Sequence, residues 1–470
     1  MKIKSIKIEN NPILWNMELN FMKTDWTTYD NIILVWENWS WKTSLINIIF
    51  QLFMLNLNSL WNIGKIEIVI EIVQEFRNET LHSWDFRIIY DISHINQAYN
   101  NNERYKHYFI FQNDLDITYP FITSFLNQEF VLQSLFSDTQ INFNAEVKSS
   151  TNISLDNEVK ISKTDINLAQ NINQTLVDVD IQDALELQQN ASERIWQNNS
   201  DGIYINTNEI RKRGRRFETA FNFMFNECWL TYSKVVNLHP KFTKNWIDID
   251  INSLSSWEKQ IVYKWAYFIK DKNSIKWAIW IIDEPEISLH PLWQEKILDY
   301  YKFLFKDENN NQTSQLFIAT HSPYLLQNVD SETDVIILFP NWERLSSLKK
   351  YLWDSPSLSV INYFVFKIPT NELHDELLWY IQYKTKIYEN DKLDKFFKDN
   401  WLIREKKWIE ESLKDWIIVP KEYPNCSLQL FIRNKIHHPE NQTMSSISFT
   451  RNELKISIDE MISLIDNLHL

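Results

Sequence analysis

The chain opens on an alternation of apolar and polar residues, KIKSIKI over residues 2–8 and MELNF over 17–21. A period of two predicts paired strands with one buried face. Residues 31–35, NIILV, form a short apolar run suited to a strand buried on both faces. The period then changes: TSLINIIFQLFMLNL, from residue 43, has helical spacing and Ser/Thr at its start. Alternation returns in KIEIVIEI (65–72), DFRIIYDI (85–92) and HYFIFQ (107–112), which predict an antiparallel sheet. From about 137 to 210 the chain is rich in Asn, Gln, Asp and Ser, as expected of a polar, partly helical insertion. Two segments, 278–301 and 314–328, each run from an apolar strand through a polar loop into a helical pattern, and so predict a parallel α/β sheet. Beyond about 346 the pattern is mostly helical and charged. The expected fold class is α/β, divided into an N-terminal lobe (1–130), a polar/helical insertion (131–224), a second lobe (225–345) and a mostly α-helical C-terminal domain (346–470).

Composition changes this picture at one point. Hydrophobic content is an ordinary 44 %, but the 470 residues include only 3 glycines and as many as 21 tryptophans. Average usage predicts roughly 33 glycines in such a chain. Positive φ and close backbone approach need a residue without Cβ, so three glycines are too few for the corners of a protein this large. The tryptophans make up most of the shortfall. Some bacterial lineages read UGA as glycine, and a common alternative code reads it as tryptophan, so most of these tryptophans are expected to be glycines. Trp293 and Trp408 sit where a true aromatic is natural, whereas Trp15, Trp342 and Trp379 fall where a turn residue is expected.

The chemistry begins in VWENWSWKTSLINIIF, residues 35–50. Between strand and helix, Lys42 and Thr43 stand as in a G-x-x-x-x-G-K-[ST] phosphate loop, with Trp36 and Trp41 at the glycine positions and Trp39 between them. With glycine at these three places the loop reads GENGSGKT, and the backbone N–H groups of residues 36–44 (Trp36, Glu37, Asn38, Trp39, Ser40, Trp41, Lys42, Thr43, Ser44) can curl around phosphates at a helix N-terminus. Lys42 would reach the β- and γ-phosphates of ATP, and the Thr43 hydroxyl would ligate Mg2+. Three indoles would fill the same space. Downstream, IIDEPE (281–286) puts Asp283 and Glu284 at a strand end, SLSSWEKQ (253–260) carries Ser255, Ser256 and Trp257, and ATHSPYLL brings His321 to another strand end.

In this order the motifs resemble the ABC-type ATPases. The wording DEPEISLHP…THSP is most similar to prokaryotic AAA-type proteins with a RecF- or SMC-like head, and the resemblance covers residues 1–130 and 225–345. It implies a P-loop NTPase fold in which Asp283 holds Mg2+, Glu284 polarises the attacking water and His321 contacts the γ-phosphate. The Ser288–Leu289 pair would be the D-loop, and Gln112 or Gln128 the magnesium-sensing glutamine. It also implies a homodimer of heads sandwiching ATP, with Ser255, Ser256 and residue 257 of one chain capping the nucleotide of the other. Trp36, Trp39, Trp41 and Trp257 each occupy a position where that family requires or favours glycine.

In the C-terminal domain, Thr450 and Glu453 are spaced as a capping box, and Arg433, Asn434 and His438 resemble the R-x4–6-H motif of HEPN ribonucleases. That resemblance implies Arg433 stabilising phosphorane-like charge and His438 as general acid or base. The alternative is a plain helix end, closed by His437, His438 and Pro439. No Glu followed by a D-x-D pair comes after His321, which argues against a TOPRIM nuclease.

Charge and cysteines narrow the classes. A net charge of −14 argues against broad coating of nucleic acid, although Arg211, Lys212, Arg213, Arg215 and Arg216 could form a local DNA or RNA contact or simply a solvated helix face. Cys228 and Cys426 are too few for a disulfide framework or zinc site. No run of about 18 apolar residues predicts a membrane span, so a cytoplasmic protein is expected. The leading expectation is an ATPase in anti-phage defence, with the C-terminal domain as effector or as adaptor to a partner effector. The alternatives are a DNA-repair clamp without nuclease activity and, if the tryptophans are real, a catalytically dead scaffold.

Overall fold

The computed structural model describes residues 2–35, 44–50, 64–76, 79–91, 110–112, 118–120, 134–137, 172–197, 212–237, 239–249, 251–255, 258, 261–262, 278–287, 289–306, 312, 314–337, 343–344, 357–400, 402, 404–414, 417–422 and 425–468. The chain divides into two compact units, Met1–Ser347 and Leu348–Leu470.

The first unit is built on two six-stranded sheets. In chain order its strands are β1 (Lys2–Asn11), β2 (Trp15–Asn20), β3 (Asn31–Val35), β4 (Lys65–Phe76), β5 (Glu79–Asp91), β6 (Ile110–Gln112), β7 (Thr118–Pro120), β8 (Ser134–Ser137), β9 (Leu230–Val236), β10 (His239–Lys244), β11 (Ile247–Ile249), β12 (Ile279–Asp283), β13 (Gln315–Thr320), β14 (Thr333–Ile337) and β15 (Glu343–Arg344). One sheet runs β2-β1-β4-β5-β6-β7 and is antiparallel throughout. The alternation behind it is visible in burial: Ile3, Ile6 and Ile8 of β1 and Ile66, Ile68 and Ile70 of β4 are buried. A register shift between Ile3 and Ser5 marks a bulge in β1.

The other sheet runs β15-β14-β3-β13-β12-β8, with β14, β3, β13, β12 and β8 parallel. Every residue of β3, β12, β13 and β14 is buried, as expected of strands covered on both faces. Its pairings are remote in sequence. β13 lies between β3 and β12, and Val35 is opposite Thr320 while Asp283 is opposite Ala319. Three strand ends, at Val35, Asp283 and Thr320, therefore share one edge.

Four helices belong to this unit among the described residues beyond 171: α1 (Ile172–Gln197), α2 (Lys212–Phe225), α3 (Pro291–Gln294) and α4 (Ile297–Phe305). On α2, Phe217, Phe221 and Phe225 recur at i, i+4 and i+8 and are fully buried, with Phe217 and Phe221 against Tyr232 of β9 and Phe242 of β10. Arg213 of the basic cluster is buried too. Its Nε donates to Asp183 Oδ1 at 2.8 Å, and the backbone N–H groups of Arg213 and Gly214 both donate to Asp183 Oδ2 at 3.1 Å. That member of the cluster joins α2 to α1 and is not a surface contact for nucleic acid. Arg211 lies outside the described residues.

The second unit contains α5 (Leu358–Phe364), α6 (Asn371–Thr385), α7 (Asn390–Asp399), α8 (Leu428–His437) and α9 (Arg451–Leu468) around one apolar core. The capping box at the start of α9 is formed: Glu453 N–H donates to Thr450 Oγ1 at 3.2 Å, and Thr450 N–H donates to Glu453 Oε2 at 2.8 Å. The helical pattern did not foresee the hairpin Ile409–Lys414/Ile417–Glu422 in this unit. Two further expectations are corrected. Residues 323–328 form turns closed by i→i+3 bonds, from Leu326 N–H to Pro323 O and from Gln327 N–H to Tyr324 O, and not a helix. Trp379 lies inside α6, exposed on the helix surface and not at a turn. Trp408, expected to be a true aromatic, is 5 % exposed and packs edge-on to Phe431.

Candidate functional site

The shared edge is the carboxyl end of the parallel strands, where open α/β sheets bind ligands. β3 ends at Val35 and leads into residues 36–43, which lie outside the described residues together with the expected phosphate contacts of Trp36, Glu37, Asn38, Trp39, Ser40, Trp41, Lys42 and Thr43. The chain is described again at Ser44, already helical through residue 50, with Leu45, Ile46, Ile49 and Phe50 buried. The helix after the loop is therefore anchored by its apolar face.

Asp283 is the last residue of β12 and is 7 % exposed; Glu284 follows at 6 %. Glu284 has φ 47°, in the left-handed region. A non-glycine residue held there costs of order 1–3 kcal/mol and persists only where its surroundings fix it. Here the fixing contact is Glu284 N–H donating to Ala319 O of β13 at 2.8 Å. The turn aims the carboxylate at the neighbouring strand end, and Glu284 Oε1 lies 3.4 Å from Nε2 of His321. The structure thus brings Asp283, Glu284 and His321 together at one sheet edge, beside the exit of β3.

Ser255 precedes a short described helical stretch. Its N–H donates to Glu258 Oε2 at 2.6 Å, one half of a capping box. Glu258 is fully buried and accepts from Lys244 Nζ at 2.9 Å. Burial pushes its carboxyl up, but the bonds from Lys244 and Ser255 outweigh this and hold it below the usual carboxylate range. Ser256, Trp257 and Ser288 lie outside the described residues, as does Gln128; the backbone of Gln112 is in β6.

In the second unit Arg433 and His438 are both on or next to α8. Arg433 Nη1 donates to Asn434 Oδ1 at 2.9 Å, and His438, the residue after the helix, has Nδ1 3.1 Å from Glu440 Oε1. The structure does not show a contact between Arg433 and His438. The sequence reading overlooked Asp375 of α6, whose Oδ2 lies 3.2 Å from His437 Nε2. His374 beside it is fully buried, bonded to Ser457 Oγ at 3.1 Å and held below the usual histidine range by burial. Its HDE spacing on α6 was the available signal. Both thiols are poor nucleophiles: burial is the main cause raising Cys228 and pushing Cys426 up to about 12. Among the described residues no group of three or more His, Cys, Asp or Glu is placed to hold a metal, and no helix is long and apolar enough to cross a membrane.

Residues 260–326 match the family model described as the AAA ATPase domain, a stretch that contains β12, Asp283, Glu284, β13 and His321. That stretch of the chain is similar to the AAA ATPase domain. A curated relative, the "Retron Vc95 probable ATPase" of Vibrio cholerae serotype O1 biovar El Tor, is 28 % identical over 151 residues, 30 % of this chain and 27 % of that protein. The match thus spans about a quarter of that relative's length. Among solved structures, an SMC head bound to the C-winged helix domain of ScpA gives a TM-score of 0.40 at 12 % identity, covering 72 % of this chain and 94 % of that one. The recombination mediator protein RecF gives 0.32 at 12 % identity, covering 72 % and 96 %. The α/β assignment of the first unit rests on its own strand order.

Proposed function

We propose that this protein is an ATP-hydrolysing conformational switch in which two copies of the head close on nucleotide, and that its natural chain carries glycine at positions 36, 39, 41 and 257. The observation that carries the reading is the convergence of Asp283, Glu284 and His321 at the sheet edge into which β3 runs. These residue types suit Mg·ATP: Asp283 would hold Mg2+ together with Thr43, while Lys42 and the loop backbone bind the phosphates. Magnesium supplies neutralisation of charge on the phosphoryl oxygens. Glu284 accepts a proton from the attacking water, and His321, 3.4 Å from its Oε1, orients that carboxylate. Ser255, at the start of the short helical stretch and tied to Glu258, would donate to the nucleotide of a second copy.

The glycine reading is supported by backbone conformation. Of the non-glycine residues at positive φ, four are tryptophans: Trp15 (55°), Trp26 (68°), Trp229 (53°) and Trp246 (68°). A bulky aromatic is an outlier in that region, which glycine enters freely. All four are between 61 and 84 % exposed, so little packing offsets the conformation. Gly64, one of the three glycines present, shows what the fold demands elsewhere: at φ 84° a Cβ would lie 2.2 Å from Glu9 O.

In the second unit, Arg433 with His438 is proposed as an RNA-cleaving pair; the Asp375–His437 contact favours acid–base chemistry on this face of α8. A defence setting is proposed from the resemblance of DEPEISLHP…THSP to prokaryotic AAA-type proteins. The test is phosphate release by the chain made with glycine at 36, 39, 41 and 257, compared with its Glu284→Gln variant. Hydrolysis should fall by about 10²-fold or more in the variant, with ATP still bound and dimers accumulating. Normal turnover by Glu284→Gln would overturn the assignment. RNA cleavage that survives Arg433→Ala and His438→Ala would remove the nuclease reading alone.

A further inference from the structure

Glu286 takes no part in the scheme above, yet it is 7 % exposed and lies in the turn that leaves Glu284. One oxygen, Oε1, accepts two hydrogen bonds: from Thr320 Oγ1 at 2.7 Å and from the backbone N–H of His321 at 2.7 Å. The other, Oε2, is buried without a hydrogen-bond partner. Thr320 Oγ1 in turn accepts from Ser322 N–H at 2.9 Å, so this carboxylate is bonded into the turn that leads from β13 into the loop.

The consequence is geometric. Glu284 and His321 come from different strands, β12 and β13, and their 3.4 Å approach is set by how the two strand ends are joined. Two contacts across the joint are Glu284 N–H to Ala319 O, and Glu286 Oε1 to residues 320 and 321. The first fixes the Glu284 backbone. The second reaches the residue that carries the imidazole. An anion two residues beyond the general base is costly to bury, and its retention is explained by the charge-assisted bonds it makes to the loop.

We infer that Glu286 is a positioning residue for hydrolysis, holding the His321 imidazole against Glu284 by fixing the Thr320–His321 backbone. The inference rests on the ATPase reading for its kinetic arm and not for its spectroscopic one. A glutamine keeps an Oε1 acceptor for both bonds, and an alanine keeps none. In the glycine-carrying chain, Glu286→Ala should lower kcat by about 10²-fold and leave KM for ATP within about twofold. Glu286→Gln should restore most of the rate. Independently of activity, the NMR titration midpoint of the His321 ring, assigned with His321→Ala, should move by about 0.5 unit or more in Glu286→Ala and stay in place in Glu286→Gln. Thr320→Val, which removes one of the two bonds, serves if Glu286→Ala does not fold, and should shift the His321 midpoint in the same direction. An unmoved His321 midpoint in the folded variant, or equal damage from Gln and Ala, would overturn the inference. A parent chain that hydrolyses no ATP while its His321 midpoint responds as stated would instead overturn the ATPase reading and leave Glu286 in its place.

Discussion

Replacing Trp15, Trp26, Trp229 and Trp246 together by glycine should stabilise the first unit, an outcome opposite to the usual cost of removing large aromatics. Each residue sits at φ between 53° and 68°, where an L-residue costs roughly 1–2 kcal/mol. Against this, glycine carries an unfolded-state entropy penalty of roughly 0.5–1 kcal/mol. Little is lost on the packing side, because the side chains are 65, 80, 61 and 84 % exposed in that order. The net gain is roughly 0–1.5 kcal/mol per site, or up to about 6 kcal/mol for the four if they add. They do not add fully: the rings of Trp229 and Trp246 lie 6.0 Å apart at an interplanar angle of 52°, and an aromatic pair is worth about 0.5–1.5 kcal/mol. The Trp15/Trp26 double variant is therefore the cleaner measurement. Urea unfolding followed by far-UV circular dichroism is the assay, since tryptophan fluorescence changes with the substitutions themselves. Trp408→Gly is the control, expected to cost about 3–5 kcal/mol because that ring is 5 % exposed and packed on Phe431. If the Trp15/Trp26 variant unfolds at a lower urea concentration than the parent, the reasoning from backbone conformation fails, and with it the structural support for misread glycines.

Two other perturbations follow from buried charge. Glu258, whose carboxyl is held below the usual range, contributes stability that is present above the unfolded value of about 4.3 and is lost as pH falls through the lower folded value. Glu258→Gln should thus narrow its deficit relative to the parent below about pH 4.3, as read from thermal unfolding across pH; a deficit that widens in acid would refute the sign. Asp183→Ala removes the acceptor of three hydrogen bonds, from Arg213 N–H, Arg213 Nε and Gly214 N–H in the first turn of α2, and should cost about 3–5 kcal/mol by stranding a buried guanidinium. Arg213→Met paired with Asp183→Leu should recover much of that loss, whereas no recovery would show that the pair is not the origin of the effect.

How far the sequence could be read follows from the range of each interaction. The strands with period two, the buried apolar runs and the Thr450 capping box are local patterns, and the structure forms them where the pattern lies. What the pattern could not contain is adjacency. β13 pairs with β3 across a separation of about 280 residues, which puts Thr320 level with Val35, and with β12, which puts Ala319 level with Asp283. The motif letters placed Glu284 and His321 at strand ends, but their 3.4 Å approach, and the second carboxylate of DEPE that secures it, belong to the sheet and not to either segment. The same distinction explains the Arg213 correction. Five basic residues within a hexapeptide look alike in sequence, yet one faces Asp183 on another helix and is spent on folding. Trp379 errs in the other direction: its neighbours ELL and YIQ favour helix strongly enough that an exposed aromatic is accommodated on the surface of α6 without positive φ. Backbone conformation, and not the rarity of tryptophan by itself, is therefore what separates the positions at which glycine is demanded from those at which an aromatic can stand.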